Sequence, residues 1–141
     1  MYYIYIPVLR AVLPRPHEKI TIFKTPLQNG YVVLLIKKYI NTLRASRKYG
    51  KACRLVKEEK YSEAKLHVDY ALSLNVFNFM TSLHKALKIE IEYELGNYDD
   101  CRNTIINIRE DFDSDPELWN KNDGKDVVDR VNWFSDQLES K

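Results

Sequence analysis

Glycine and proline are sparse, four and five in 141 residues. An all-β sandwich or barrel spends many turn residues, so this scarcity argues against one and favours helices. Only two cysteines are present, Cys53 and Cys101, and they form no Cys-x-x-Cys pair. They read as reduced, small apolar fillers within helices rather than as a disulfide framework or a metal site. No long apolar run exists. Met1–Leu13 is apolar and tyrosine-rich, but Pro7 interrupts it and Arg10 falls inside it, unlike a secretory leader. That run and Tyr31–Ile36 are both too short to cross a bilayer. A soluble, cytoplasmic chain of one domain is the expectation, with no membrane partner.

Catalytic signatures are also missing. The chain has no glycine-rich phosphate loop, no Gly-x-Ser-x-Gly and no His-Glu-x-x-His. His17, His67 and His84 stand far apart, none with a ligand-like neighbour four residues on. Asp111-x-Asp113-x-Asp115 imitates the start of a calcium loop, but Pro116 replaces the glycine and Asn122 the closing acid. Capping and surface charge explain those acids more simply. No enzyme activity, cofactor or metal is expected.

Charge is abundant but divided. Residues 1–89 carry 16 Lys/Arg and 5 Asp/Glu; residues 90–141 carry 6 and 15. The formal total of +2 conceals two halves of +11 and −9. Such asymmetry speaks to partners, not to fold. Its densest part is Lys37, Lys38, Arg44, Arg47, Lys48, Lys51, Arg54, Lys57 and Lys60, opposed only by Glu58 and Glu59. At helical spacing these cations form a stripe that can track phosphates, with Tyr39 or Tyr49 available to stack. A plain solvated helix face is the alternative.

Hydrophobic periodicity gives the elements. Residues 1–25, broken by Pro7, Pro14 and Pro16, read either as an extended arm or as a hairpin of Tyr2–Ile6 with Lys19–Phe23. Residues 26–141 read as a helical domain. Val32, Leu35, Ile36, Tyr39 and Leu43 make one apolar stripe at helical spacing. Gly50 either sits inside one long helix or separates two. Ser62 is the expected cap of a second helix with apolar positions at Ala64, Leu66, Val68, Ala71, Leu72 and Leu74, ending at Asn75. A third helix spans Phe77 to Leu95 and is stopped by Gly96. A fourth opens at Asp99 or Asp100 and runs to about Phe112. A turn of helix is expected at Pro116–Trp119, and a final amphipathic helix from about Lys125.

Two stretches repeat. Lys60-Tyr-Ser-Glu-Ala64, followed by Tyr70-Ala71-Leu72, parallels Leu95-Gly-Asn-Tyr-Asp-Asp-Cys101, followed by Ile105 and Ile108. Tyr61 and Tyr98 lie 37 positions apart, as do Ala64 and Cys101. Such self-similarity marks a helical-hairpin repeat. On these residues, the segment from about Ala45 to Ile108 resembles the tetratricopeptide repeat family. Ala52, Leu55, Tyr61, Ala64, Val68 and Ala71 fall on that family's small and large positions in the first copy. Leu95, Gly96, Asn97, Tyr98 and Cys101 match its turn in the second. The period exceeds the family's usual ~34, which places about three extra residues near Val76–Asn78. Ile89 and Glu92 depart from the pattern, standing where a small and an apolar residue are usual.

The resemblance implies an all-α fold of antiparallel hairpins, stacked as a short α-solenoid and closed by a capping helix. It also implies a protein- or peptide-binding groove on the first helix of each pair: Ser46, Tyr49, Cys53 and Val56, then Leu83, Ala86, Glu90 and Tyr93. Their types suit an apolar segment better than a carboxylate tail. Three readings of function result: a non-catalytic interaction module with this groove, a nucleic-acid-associated protein using the Lys37–Lys60 stripe, or self-association through the two charged halves.

Overall fold

The computed structural model describes residues 26–141, so the expectations for residues 1–25 lie outside the described residues. Contacts divide the chain into Met1–Val33 and Leu34–Lys141; the first helix starts in the former and runs into the latter. Among the described residues there are six helices and no strand: α1 (Pro26–Lys57), α2 (Tyr61–Leu72), α3 (Asn78–Glu94), α4 (Tyr98–Ser114), α5 (Pro116–Trp119) and α6 (Asn122–Glu139). Gly50 lies inside α1, which is continuous. Ser62 does not cap α2: the helix begins one residue earlier, behind Lys60, with no side-chain cap. α2 also stops at Leu72 rather than Asn75.

Side-chain pairings give the helix directions. Asn41 reaches Asn75 and Lys48 lies over the Tyr70 ring, in opposite chain order, so α1 and α2 are antiparallel. Lys65 pairs with Glu92 and Lys88 with Asp69, which makes α2 and α3 antiparallel. Lys85 bonds Asp111 while Cys101 bonds the Ile89 carbonyl, so α3 and α4 are antiparallel as well. Glu90 pairs with Arg130 and Tyr93 meets Phe134, in the same order, so α6 runs parallel to α3. Lys38 over Phe77 and Tyr49 against His84 align α1 with α3 likewise.

The turns that close the two hairpins share one backbone motif. After α1, the Lys60 amide donates to the Leu55 carbonyl (2.9 Å) and the Glu59 amide to that of Val56 (3.0 Å). After α3, the Asn97 amide donates to Glu92 (2.9 Å) and the Gly96 amide to Tyr93 (3.0 Å). Both are Schellman caps, 37 residues apart, with the left-handed residue at Glu59 (φ 58°) and Gly96 (φ 75°). Burial keeps the same register. Ala45 and Ser82, Ala52 and Ile89, Leu55 and Glu92, Ala64 and Cys101, Val68 and Ile105, and Ala71 and Ile108 are all buried.

Two apolar clusters result. Ala52, Leu55, Ala64 and Val68 meet Leu87 and Ile91 of α3. Ala86 and Ile89, on another side of α3, meet Cys101, Ile105 and Ile108 of α4 and Val131, Phe134 and Leu138 of α6. α3 therefore packs against both flanking layers. Trp119 of α5 is buried between Phe79 (5.3 Å) and Phe112 (4.8 Å). A Cβ on Gly124 would sit 2.7 Å from the Leu118 carbonyl oxygen, so the start of α6 approaches α5 as only glycine allows.

Two sequence expectations about burial fail. Leu66, placed on the apolar side of α2, is 71% exposed. The stripe Val32, Leu35, Ile36, Tyr39 and Leu43 reads as a core face, yet all five are 37–54% exposed. Length is the reason. α1 has 32 residues and α2 only 12, so α2 and its connection cover α1 back to about Asn41, and α1 turns a buried side inward only from Ala45.

Candidate functional site

The parallel sense of α1, α3 and α6 sets their residues in rows. Cys53 and Glu90 occupy equivalent positions, and Arg130 of α6 continues that row by pairing with Glu90. Val56 and Tyr93 form the next row, continued by Trp133, whose ring centroid is 6.4 Å from that of Tyr93. Cys53, Val56, Leu83, Glu90 and Tyr93 are half-buried. Ala86 is buried in the core beneath them. Tyr49 lies tilted on His84 at 5.2 Å and hydrogen-bonds Cys53 one turn on.

The electrostatics of this row are local. Burial pushes the Cys53 thiol up, opposed by the Tyr49 hydrogen bond and by Arg130. Burial also raises the Glu90 carboxyl, with Arg130 opposing it and Glu94 adding to the rise. Tyr93 enters an aromatic cluster with Phe134 (5.3 Å) and Tyr98 (5.8 Å). The row thus offers half-covered apolar surface beside one ion pair. Arg130 is the member that sequence reasoning missed. Its signal was available: it lies 40 residues beyond Glu90, near the repeat period.

The cations of α1 are placed differently. Lys38 and Lys48 turn onto the rings of Phe77 (5.1 Å) and Tyr70 (5.2 Å). Lys37, Arg44, Arg47, Lys51, Arg54 and Lys57 are exposed and, among the described residues, form no ion pair. Arg44, Arg47, Lys51 and Arg54 follow one another at three- and four-residue steps, along one side of the helix. Ile36, Ile40 and Leu43 extend the same side toward the N-terminus, also exposed. In α2 and α3 the lysines are committed: Lys65 and Lys88 to Asp69 (3.1 and 2.8 Å) and Lys85 to Asp111 (2.8 Å).

The other reactive groups lie outside the row of Cys53, Glu90 and Arg130. Cys101 is buried, donates to the Ile89 carbonyl at 3.4 Å and has its thiol pushed up to about 11 by burial, so it stays protonated at neutral pH. His84 is fully buried, neither ring nitrogen has a hydrogen-bond partner, and burial pushes its pKa down to about 4. His67 is lowered too, by burial and by Lys51 and Lys48. Asp111 accepts from Ser82 and Lys85, and Asp115 caps α5 by accepting from the Leu118 amide at 3.2 Å. No group of three or more His, Cys, Asp or Glu able to hold a metal occurs among the described residues. No helix among them is long and apolar enough to cross a membrane. The sequence matches no protein-family model, and neither curated proteins nor solved structures give a match.

Proposed function

We propose that this chain is a non-catalytic protein-interaction module, a short tetratricopeptide-like stack that holds an apolar segment of a partner protein across α1, α3 and α6. What supports the reading is the row structure. Three parallel helices present Cys53, Glu90 and Arg130, then Val56, Tyr93 and Trp133, side by side and incompletely covered. An apolar side chain entering beside Val56 and Tyr93 displaces water from both, while the Glu90–Arg130 pair at the margin orients the partner's polar groups. A library of random 12-residue peptides displayed on phage tests this. Enriched peptides should carry apolar anchors, shift the amide resonances of Cys53, Val56, Leu83 and Arg130, and bind Leu83→Glu at least tenfold more weakly. No enrichment, or shifts confined to another surface, overturns it.

A second reading is favoured by one observation, the exposed and unpaired cations of α1. Nucleic acid lying along Arg44, Arg47, Lys51 and Arg54 loses affinity steeply with salt. Anisotropy of a labelled single-stranded RNA at two salt concentrations decides it: weak binding with a flat salt response rules it out.

A further inference from the structure

We propose that the solvent face of α1 docks onto the solvent face of α6 in a second copy of this chain, continuing the helix stack from one molecule into the next.

The argument begins with register. Arg44, Arg47, Lys51 and Arg54 of α1 occupy the same repeat positions as Thr81, His84, Lys88 and Ile91 of α3. Those α3 positions face the preceding hairpin: His84 lies against Tyr49, Lys88 bonds Asp69, and Ile91 packs with Ala52 and Leu55. The α1 row is therefore an inter-hairpin face with no hairpin in front of it among the described residues.

The other end of the stack mirrors this. Ala86, Ile89 and Tyr93 of α3 face the following layer, meeting Val131 and Phe134 of α6. Forty residues on, the pairing offset of α3 with α6, stand Asp126, Asp129 and Trp133, and Asp136 follows one turn later. All four are exposed, Trp133 by 53%, and among the described residues the three aspartates form no ion pair. Here too, among the described residues, no helix covers the face.

The two faces complement each other in charge and spacing. α1 carries eight Lys/Arg and no Asp/Glu from Pro26 to Lys57. Its open row steps by three, four and three residues, and so does the α6 row 126, 129, 133, 136. Each row is about 15 Å long. Because the spacing is the same read in either direction, parallel and antiparallel docking both set aspartates against cations. Trp133 then meets Lys51 or Arg47, a cation over an indole face. Nucleic acid would engage α1 but leave the acidic row of α6 unused, so the second copy is the occupant that accounts for both. The contact is head-to-tail, and repeating it builds linear assemblies unless the rotation closes a ring.

Sedimentation velocity on the full chain, over a rising concentration series at about 20 mM and about 500 mM salt, tests the proposal, since screening lengths differ several-fold between them. Mass should rise with concentration at low salt and return to the monomer at high salt. Asp129→Lys/Asp136→Lys and Arg47→Glu/Arg54→Glu should each be monomeric at low salt, with affinity reduced tenfold or more. An equimolar mixture of the two variants should associate again, because each supplies the complement of the other. Unfolded variants could not give that rescue. A wild-type monomer throughout, association surviving either charge reversal, a mixture that stays monomeric, or a complex dissolved by nuclease overturns the proposal.

Discussion

The hairpins α1–α2 and α3–α4 close with the same cap and fill it with opposite residues. Glu59 holds the left-handed position in the first and Gly96 in the second. Inside, the first hairpin buries Ala45, Ala52, Leu55, Ala64 and Ala71 where the second buries Ser82, Ile89, Glu92, Cys101 and Ile108. One backbone repeat thus tolerates a nearly all-alanine seam and a larger, partly polar one. The difference shows which constraint is strict. The cap geometry and the burial register persist, while side-chain identity drifts wherever a neighbour can compensate.

Glu92 is the extreme case. It stands in the place of Leu55, is 0% exposed, and its carboxylate meets Lys65 and, at 2.7 Å, the Asn97 side-chain amide. Glu92→Ala empties a fully buried site and takes the acceptor from the Asn97 amide, a loss of about 2–5 kcal/mol, so it should show the largest loss of stability in urea titration. Glu92→Leu copies the first hairpin and should be nearly neutral, since Lys65 keeps Asp69 at 3.1 Å. A Leu variant as unstable as the Ala variant would break the equivalence of the two copies.

Arg47 and His84 make the second contrast, one in solvent and the other buried at the same repeat position. Burial favours the neutral imidazole, so the folded pKa of about 4 lies below the ordinary 6.5. Stability from this group is complete above pH 6.5 and declines as pH falls toward 4, by about 3 kcal/mol in all. His84→Leu should flatten that part of the stability–pH curve. An unchanged acid limb would assign the decline to other groups.

The turns give the smaller effects. Gly96→Ala meets no atom within 4 Å and is strained only by its backbone angle, at roughly 1–2 kcal/mol. Glu59→Gly should act in the reverse sense and stabilise by about 0.5–1 kcal/mol, relief of strain being offset by the freedom glycine adds to the unfolded chain. Thermal melts of both variants compare the caps directly; a destabilised Glu59→Gly would mean that its side chain matters more than its angle.

Local pattern carried much of this in the sequence. The 37-residue spacing, the stop at Gly96 and the turn at Pro116–Trp119 are written in neighbouring residues. So is the equivalence of Cys53 with Glu90 and of Val56 with Tyr93. What escaped depends on distant partners. Glu92 looks like a mismatch until Lys65, 27 residues away, answers it. Val32 to Leu43 has the spacing of a core stripe, and only the brevity of α2 leaves it open. Leu66 shows the same limit, since apolar type alone does not say which side of a helix a neighbour will cover.

The central place of α3 has a kinetic consequence. Its partners α2 and α4 are its neighbours in the chain, joined to it by connections of a few residues, so those antiparallel pairings close short loops. A chain rich in such local contacts meets a low entropic barrier and folds quickly. α3 can form with either neighbour first, leaving α6, the later arrival, to complete the core from a greater distance along the chain.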